Sequence, residues 1–209
     1  MKQFSDACEE NKDPILAVLK NELADCRNIL EIGSGTGQHA VYFGQYLPYL
    51  SWQTSDLDEN HASINAWRNA AGLPNVLEPL SLDVSNGPWP EDGFDGVFSA
   101  NTTHIMNWPS VCGMFIGIGR VLKPGGVLCL YGPFNYNQCY TSDSNEHFDN
   151  WLKARNSLSG IRNFEDLDEL AGNNSLVFRK DFEMPVNNRL LVWERTAVTS
   201  ASRDGPTSL

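Results

Sequence analysis

Three alternating glycines in the run Glu31-Ile32-Gly33-Ser34-Gly35-Thr36-Gly37 constrain this chain more than any other feature. The apolar stretch from Asn28 to Ile32 before them is predicted as a short buried strand, and Gln38 to Leu47 after them has helical character. A strand that enters a helix through a bend without side chains lets the backbone approach a ligand closely, at the carboxyl end of the first strand of a doubly wound sheet. The details choose among ligands. A dinucleotide fingerprint needs glycine at position 38, where this chain has Gln38, and a P-loop needs Gly-Lys-Ser/Thr at the helix start. Glu31, two places before the first glycine, opposes a pyrophosphate and suits a ligand carrying an ammonium and a sulfonium. Gln38 and Glu31 together therefore speak against a nicotinamide-dependent oxidoreductase.

Elsewhere apolar runs alternate with helical stretches. Asp13-Pro14 ahead of Ile15, Leu16, Val18, Leu19 and Leu23 predicts a capped helix with proline at its first position. Leu50 to Ser55 predicts a second strand running into Asp56, and Glu59 to Ala71 a helix closed by Gly72. A third strand is expected within Val76 to Val84 and a fourth at Phe94 to Ala100. Ser110 to Leu122 predicts a helix stopped by Lys123-Pro124-Gly125-Gly126, and Val127 to Tyr131 a fifth strand. After a polar stretch reaching about Asn145, short helices are expected near Phe148 to Arg155 and Glu165 to Ala171. The last strands, Leu176 to Phe182 and Arg189 to Glu194, have a link short enough for an antiparallel hairpin. Nearly all-apolar strands between helices imply a mostly parallel sheet covered on both faces, an α/β fold. Residues 1–195 are expected to form a single domain, and the Ser/Thr-rich 196–209 a disordered tail.

The 209 residues carry a formal net charge of −11. A surface of that sign repels phosphate backbones, and Arg179-Lys180 is the only adjacent basic pair, so no nucleic-acid partner is expected. Five cysteines without CxxC spacing point to reduced thiols and no metal cluster. With no apolar targeting segment and no run of membrane-spanning length, the expectation is a cytoplasmic protein without a membrane partner.

The E-x-G-x-G-x-G pattern resembles the first motif of class I S-adenosylmethionine-dependent methyltransferases. Asp56, nineteen residues after Gly37, stands where a carboxylate can accept both ribose hydroxyls. In that superfamily an Asp after the third strand commonly reads the adenine amino group, here Asp83 in Leu82-Asp83-Val84. Val121-Leu122-Lys123-Pro124-Gly125-Gly126 is a further superfamily phrase. The chain is also similar to the methyltransferase-like protein twenty-six family, catalogued as domain of unknown function 938. The matching pieces include Asn11-Lys12-Asp13-Pro14-Ile15, Gly35-Thr36-Gly37-Gln38-His39-Ala40, Asn101 with Thr103-His104-Ile105, Tyr131-Gly132-Pro133, Gly160-Ile161-Arg162 and Met184-Pro185-Val186-Asn187-Asn188. Val186 and Thr103 depart from the alanines expected there. The resemblance implies a Rossmann-like class I methyltransferase fold with a seven-stranded sheet. It implies S-adenosylmethionine as cofactor, S-adenosylhomocysteine as product, and Glu31, Gly33, Ser34, Gly35, Gly37, Asp56, Leu57, Asp83, Val84 and Asn101 as cofactor contacts. It names no acceptor.

In such enzymes the acceptor enters through the loops after strands four and five, here Asn101 to Trp108 and Tyr131 to Tyr140. Methyl transfer is an in-line displacement, so the protein aligns the reactants and can remove one proton. His104 is the candidate base, because unperturbed imidazole titrates near pH ~6.5; the bland alternative is a hydrogen bond to a loop carbonyl. Asn101 and Tyr131 are further catalytic candidates. Asn11, Lys12, His39, Arg162, Asn187 and Asn188 are candidates for the acceptor pocket, with capping, turn or structural hydrogen bonds as their alternatives. The aromatic insert with Phe134, Tyr136 and Tyr140 suits a small-molecule acceptor. A catalytically silent cofactor-binding protein is the alternative function, and monomer and homodimer both stay open.

Overall fold

Strand residues that point to opposite sides are apolar on both sides, and this produces a sheet buried between two layers of helices. The structure is a computed structural model describing residues 1–91 and 93–196. In chain order the elements are α1 Asp6–Glu22, β1 Asn28–Ile32, α2 Gln38–Tyr46, β2 Ser51–Asp56, α3 Asp58–Ala71, β3 Val76–Ser81 and β4 Phe94–Ala100. They continue as α4 Trp108–Val121, β5 Leu122–Gly132, β6 Phe134–Asn135, α5 Asp143–Arg155, β7 Arg162–Asn163, α6 Phe164–Asn173, β8 Leu176–Met184 and β9 Asn188–Arg195. Seven strands form one sheet in the order β3-β2-β1-β4-β5-β9-β8. The first five pair in parallel, and β9 runs antiparallel to both β5 and β8. The seven-stranded sheet and its C-terminal hairpin are those expected.

Successive residues of a strand face opposite sides. Leu30, Val97, Leu128 and Leu130 join α4 and α6 in one core, where Phe115 stands edge-on to Trp193. Ile29, Phe98, Cys129 and Tyr131 join α1 and α2 in the other, where Phe43 packs on Trp52 and Phe98. Burial on both faces is what requires continuous apolar strands. The strand order reverses between β1 and β4, and a crevice at the carboxyl ends of the strands is the consequence.

Several boundaries differ from expectation. Helix α1 starts at Asp6 rather than beside Pro14, because Ser5 caps it through the Cys8 N–H and Asp6 and Glu9 suit its positive end. Pro14 lies inside the helix, and Asn11 and Lys12 are helical residues, not a preceding loop. The Lys123-Pro124-Gly125-Gly126 phrase is absorbed into β5, where Leu122 pairs with Phe94 across a register shift. Helix α5 starts five residues early, at Asp143, because Ser142 caps it through the Asn145 N–H. The two-residue parallel pair β6–β7 has no counterpart in the hydrophobic pattern. The expected tail lies outside the described residues from 197 onward. No helix among the described residues is long and apolar enough to cross a membrane.

Candidate functional site

The bend after β1 is built from backbone alone. Gly33 and Gly37 hold φ of 72° and 92°, and a Cβ on them would stand 2.5 Å from Thr102 Cγ2 and 2.8 Å from Ile64 Cα. No other residue fits those two places without moving its neighbours. Asp56, at the end of β2, braces the bend. Its Oδ2 accepts the Gly35 N–H at 2.7 Å, and its Oδ1 accepts the Leu57 N–H at 2.7 Å and the Asn60 amide at 2.9 Å. Two carboxylate oxygens offer about four acceptor positions, so capacity remains for a ligand.

A cavity of about 1100 Å³ opens at the carboxyl ends of the strands. One end is lined by Gly33, Ser34, Gly35, Asp56, Leu57, Asp83 and Val84. Asp83 accepts from Ser85 N–H and the Asn86 amide, and these bonds hold its carboxyl below the ordinary range. Glu31 and Gly37 are not among the lining residues. Glu31 is turned beneath the loop, where its Oε2 accepts from Ser34 Oγ at 2.8 Å and Trp52 Nε1 at 3.1 Å. Burial raises its carboxyl to about 7 despite those two bonds. Glu31 therefore reaches the cavity through Ser34.

The other end lies under the loops after β4 and β5. Asn101 is in the left-handed region, φ 58°, and its N–H bonds the Tyr131 carbonyl at 2.9 Å. His104 is 4% exposed, lines the cavity, and stands edge-on to Phe148. Its Nδ1 is sealed and has no hydrogen-bond partner. Burial, aided by the charge of Arg162, lowers its imidazole to about 4, so the ring is neutral near pH 7. A methyl group on Gly132 would stand 3.7 Å from that Nδ1 and 3.8 Å from Asn101 Oδ1, which puts the two residues around one corner. His104 Nδ1 makes no bond to a loop carbonyl.

His39, Asn11, Tyr131 and Asn188 also line the cavity. His39 Nε2 is 2.6 Å from Asn11 Oδ1, and burial lowers its imidazole to about 4. Burial raises the Tyr131 phenol, with Asn11 and Asn188 bonding in opposition.

Three expected pocket residues are elsewhere. Lys12 pairs with Glu9 and sits over the Tyr42 ring, because its helix face is turned toward α2 and away from the cavity. Arg162 donates to the Thr103, Met106 and Leu158 carbonyls, so it fastens the His104 loop from behind. The Asn187 amide bonds Ser144 Oγ, and its carbonyl accepts from Asn145, which ties the β8–β9 link to the start of α5.

Ile105 and Met106 of the expected acceptor loop form an apolar wall with Phe148, Trp151, Leu152 and Val186, which are not among the expected pocket residues. Phe148, Trp151 and Leu152 lie three and four residues apart on α5, a helical stripe present in the sequence. Its orientation toward the loops depends on tertiary packing.

The family model described as a protein of unknown function, DUF938, matches residues 2–195. The chain belongs to the DUF938 family. Among curated relatives, the DUF938 chain is 28% identical over 150 residues to a sterol 24-C-methyltransferase of Pneumocystis carinii, covering 70% of the chain and 37% of that protein. It is 31% identical over 100 residues to a fatty-acid O-methyltransferase of Mycolicibacterium smegmatis, covering 48% of the chain and 35% of that protein. The chain thus spans little more than a third of the length of either. An O-methyltransferase family protein from Burkholderia thailandensis superimposes with TM-score 0.81 at 15% identity, covering 92% of this chain and 58% of that one. Human N-acetylserotonin methyltransferase in complex with SAM gives TM-score 0.75 at 14% identity, covering 92% and 53%. The DUF938 chain has the class I methyltransferase fold.

Proposed function

We propose that this protein is an S-adenosylmethionine-dependent methyltransferase that acts on a small-molecule acceptor. The observation that carries the reading is the continuity of the cavity from the glycine bend to His104. Its volume, about 1100 Å³, lies just above the range of single-ligand pockets, ~300–1,000 Å³, and has room for two ligands side by side.

The residues present fit the cofactor. Glu10, Asp56, Glu59 and Asp83 line the cavity, and no Lys or Arg does among the described residues. Such a lining attracts a cationic nucleoside and repels a pyrophosphate. When bound, the cofactor supplies an electrophilic methyl group on a positively charged sulfur. Gly33, Ser34 and Gly35 would lie against its amino-acid portion, with Glu31 behind Ser34. The remaining acceptor position of Asp56 suits a ribose hydroxyl, Asp83 the adenine amino group, and Leu57 and Val84 the ring faces. Asn101 and Tyr131 position the acceptor, and the spare imidazole of His104 takes its proton. Closure by α1, through Cys8 and Asn11, keeps water from the reacting atoms.

The test is calorimetry with S-adenosylhomocysteine, followed by incubation with methyl-labelled cofactor and a fractionated cell extract. Micromolar binding and label in a low-molecular-mass fraction are expected. Absence of binding overturns the reading, and label in macromolecules alone overturns its acceptor half.

A further inference from the structure

The end of the cavity under the β4 and β5 loops differs chemically from the end at the glycine bend. All four carboxylates that line the cavity come from α1, the β2–α3 junction and the turn after β3. The part formed by residues 100–110, by Tyr131 and Pro133, by α5 and by the β8–β9 link has no charged side chain of either sign among the described residues. A carboxylate or phosphate brought there would lose its hydration without a cation to touch, since Arg162 is engaged by loop carbonyls behind His104, and an ammonium would lose its own without an anion. An uncharged molecule loses only what the apolar wall restores.

Among the described residues, a single sealed polar atom in that part lacks a partner. His104 is 4% exposed and its Nδ1 is unbonded, whereas buried polar groups are nearly always satisfied within the protein. Nδ1 itself is sealed, so a ligand in the cavity reaches the imidazole through its other nitrogen, Nε2. Its loop is fastened by Arg162, by Gly160 N–H on the His104 carbonyl at 2.8 Å and by Ser159 Oγ on the Ile105 carbonyl at 3.0 Å. The ring packs against Phe148, 5.3 Å between centroids, so a molecule that reaches it lies against apolar surface.

Resting on the methyltransferase reading above, we propose that the acceptor is an uncharged, flat, apolar molecule whose reacting group is a phenolic hydroxyl. The step balances without any further co-reactant. The O–H proton passes to the His104 imidazole, the oxygen lone pair forms the new O–C bond, and the C–S bond of the sulfonium breaks with its electrons returning to sulfur. The imidazolium then returns the proton to water. A neutral imidazole lowered by burial is a weak base, which favours a phenol, pKa ~10, over an aliphatic hydroxyl, whose acidity is near that of water at ~15.7.

Three probes share one ring system and differ in charge: 2-naphthol, 2-naphthoate and the cationic 2-naphthylmethylamine. Calorimetry is performed with each on the full chain saturated with S-adenosylhomocysteine, and turnover is followed with labelled S-adenosylmethionine. Naphthol is expected to bind at least tenfold more tightly than either ion and to be the one methylated. His104→Gln is expected to abolish turnover and leave naphthol binding within threefold. Ile105→Lys, at a residue 56% exposed, is expected to narrow the preference over naphthoate at least threefold without unfolding the chain. Equal or tighter binding of either ion, methylation of the amine in preference, or full turnover by His104→Gln overturns the proposal. If S-adenosylhomocysteine itself does not bind, the methyltransferase reading fails and this proposal with it. If it binds and the ions are preferred, only this proposal fails.

Discussion

Arg162 Nε donates to the carbonyl oxygen of Thr103 at 3.1 Å, so a cation sits one residue from His104 and holds its loop. The second consequence is electrostatic, since a nearby positive charge disfavours the imidazolium. Arg162→Met removes both effects. The His104 ring, titrated by its C–H resonances, is expected to move from about 4 part of the way toward ordinary imidazole, since burial, the larger cause, remains. Arg162→Lys, which keeps the charge, is expected to move it less. Turnover by the methionine variant should fall about tenfold because the loop loosens. Superimposable titrations of wild type and Arg162→Met would exclude the electrostatic role.

The pH dependence of stability follows from three buried groups of opposite sense. His39 and His104 both titrate near 4, below the unfolded value. Their contribution is fully present above pH ~6.5 and is lost as pH falls to about 4, because the unfolded chain binds the protons first. Glu31, raised to about 7, behaves oppositely: its contribution is present below pH ~4.5 and is lost as pH rises to about 7. Each shift corresponds to on the order of 3 kcal/mol at most. Urea unfolding from pH 7 to 4 is expected to show a shallower acid loss in His39→Gln than in wild type. Glu31→Gln is expected to gain stability relative to wild type as pH rises from 4.5 to 7.

Asp56 connects the glycine bend to β2 through its bond to Gly35. Asp56→Ala leaves the Gly35 and Leu57 N–H groups without that partner and removes the candidate ribose acceptor. Loss of at least thirtyfold in S-adenosylhomocysteine affinity is expected by calorimetry, with a stability loss of about 2 kcal/mol. Asp56→Asn keeps an acceptor oxygen and should lie between. Unchanged affinity in the alanine variant would remove Asp56 from the cofactor site.

Val186 occupies the left-handed region at φ 59°, which a β-branched residue rarely does. It is 74% exposed at the cavity mouth. Val186→Asn, a residue that tolerates this conformation, is expected to stabilise the protein by about 1 kcal/mol. The corresponding rise in Tm is about 2–4 °C for a chain of this size, measured by calorimetric melting. A Tm equal to or below that of wild type would show that the turn stores no strain. Loss of the apolar side chain should also weaken acceptor binding.

The parts of the fold legible in the sequence are those dictated by neighbours along the chain. The alternation of β1, β4 and β5, the helix closed by Gly72, and the glycine bend with Asp56 and Asp83 beyond it depend on local periodicity and backbone freedom. The start of α1 was less legible, because Asp13-Pro14 is a stronger local signal than Ser5, whose capping bond decides the boundary. The apolar stripe of α5 was visible as a pattern, but the surface it would meet was not.

Sequence alone determined a mostly parallel sheet with a side-chain-free bend and acidic residues at its edge, since strand burial and glycine geometry are short-range constraints. Tertiary structure alone decided which polar residues reach the cavity. Lys12, Arg162 and Asn187 are turned to other partners, whereas Asn11, His39 and Asn188 reach the lining. For Asn11 with His39, for Arg162 and for Asn187, those outcomes are set by contacts between residues 28 to 59 positions apart, whose closure the packed sheet determines and no local pattern encodes.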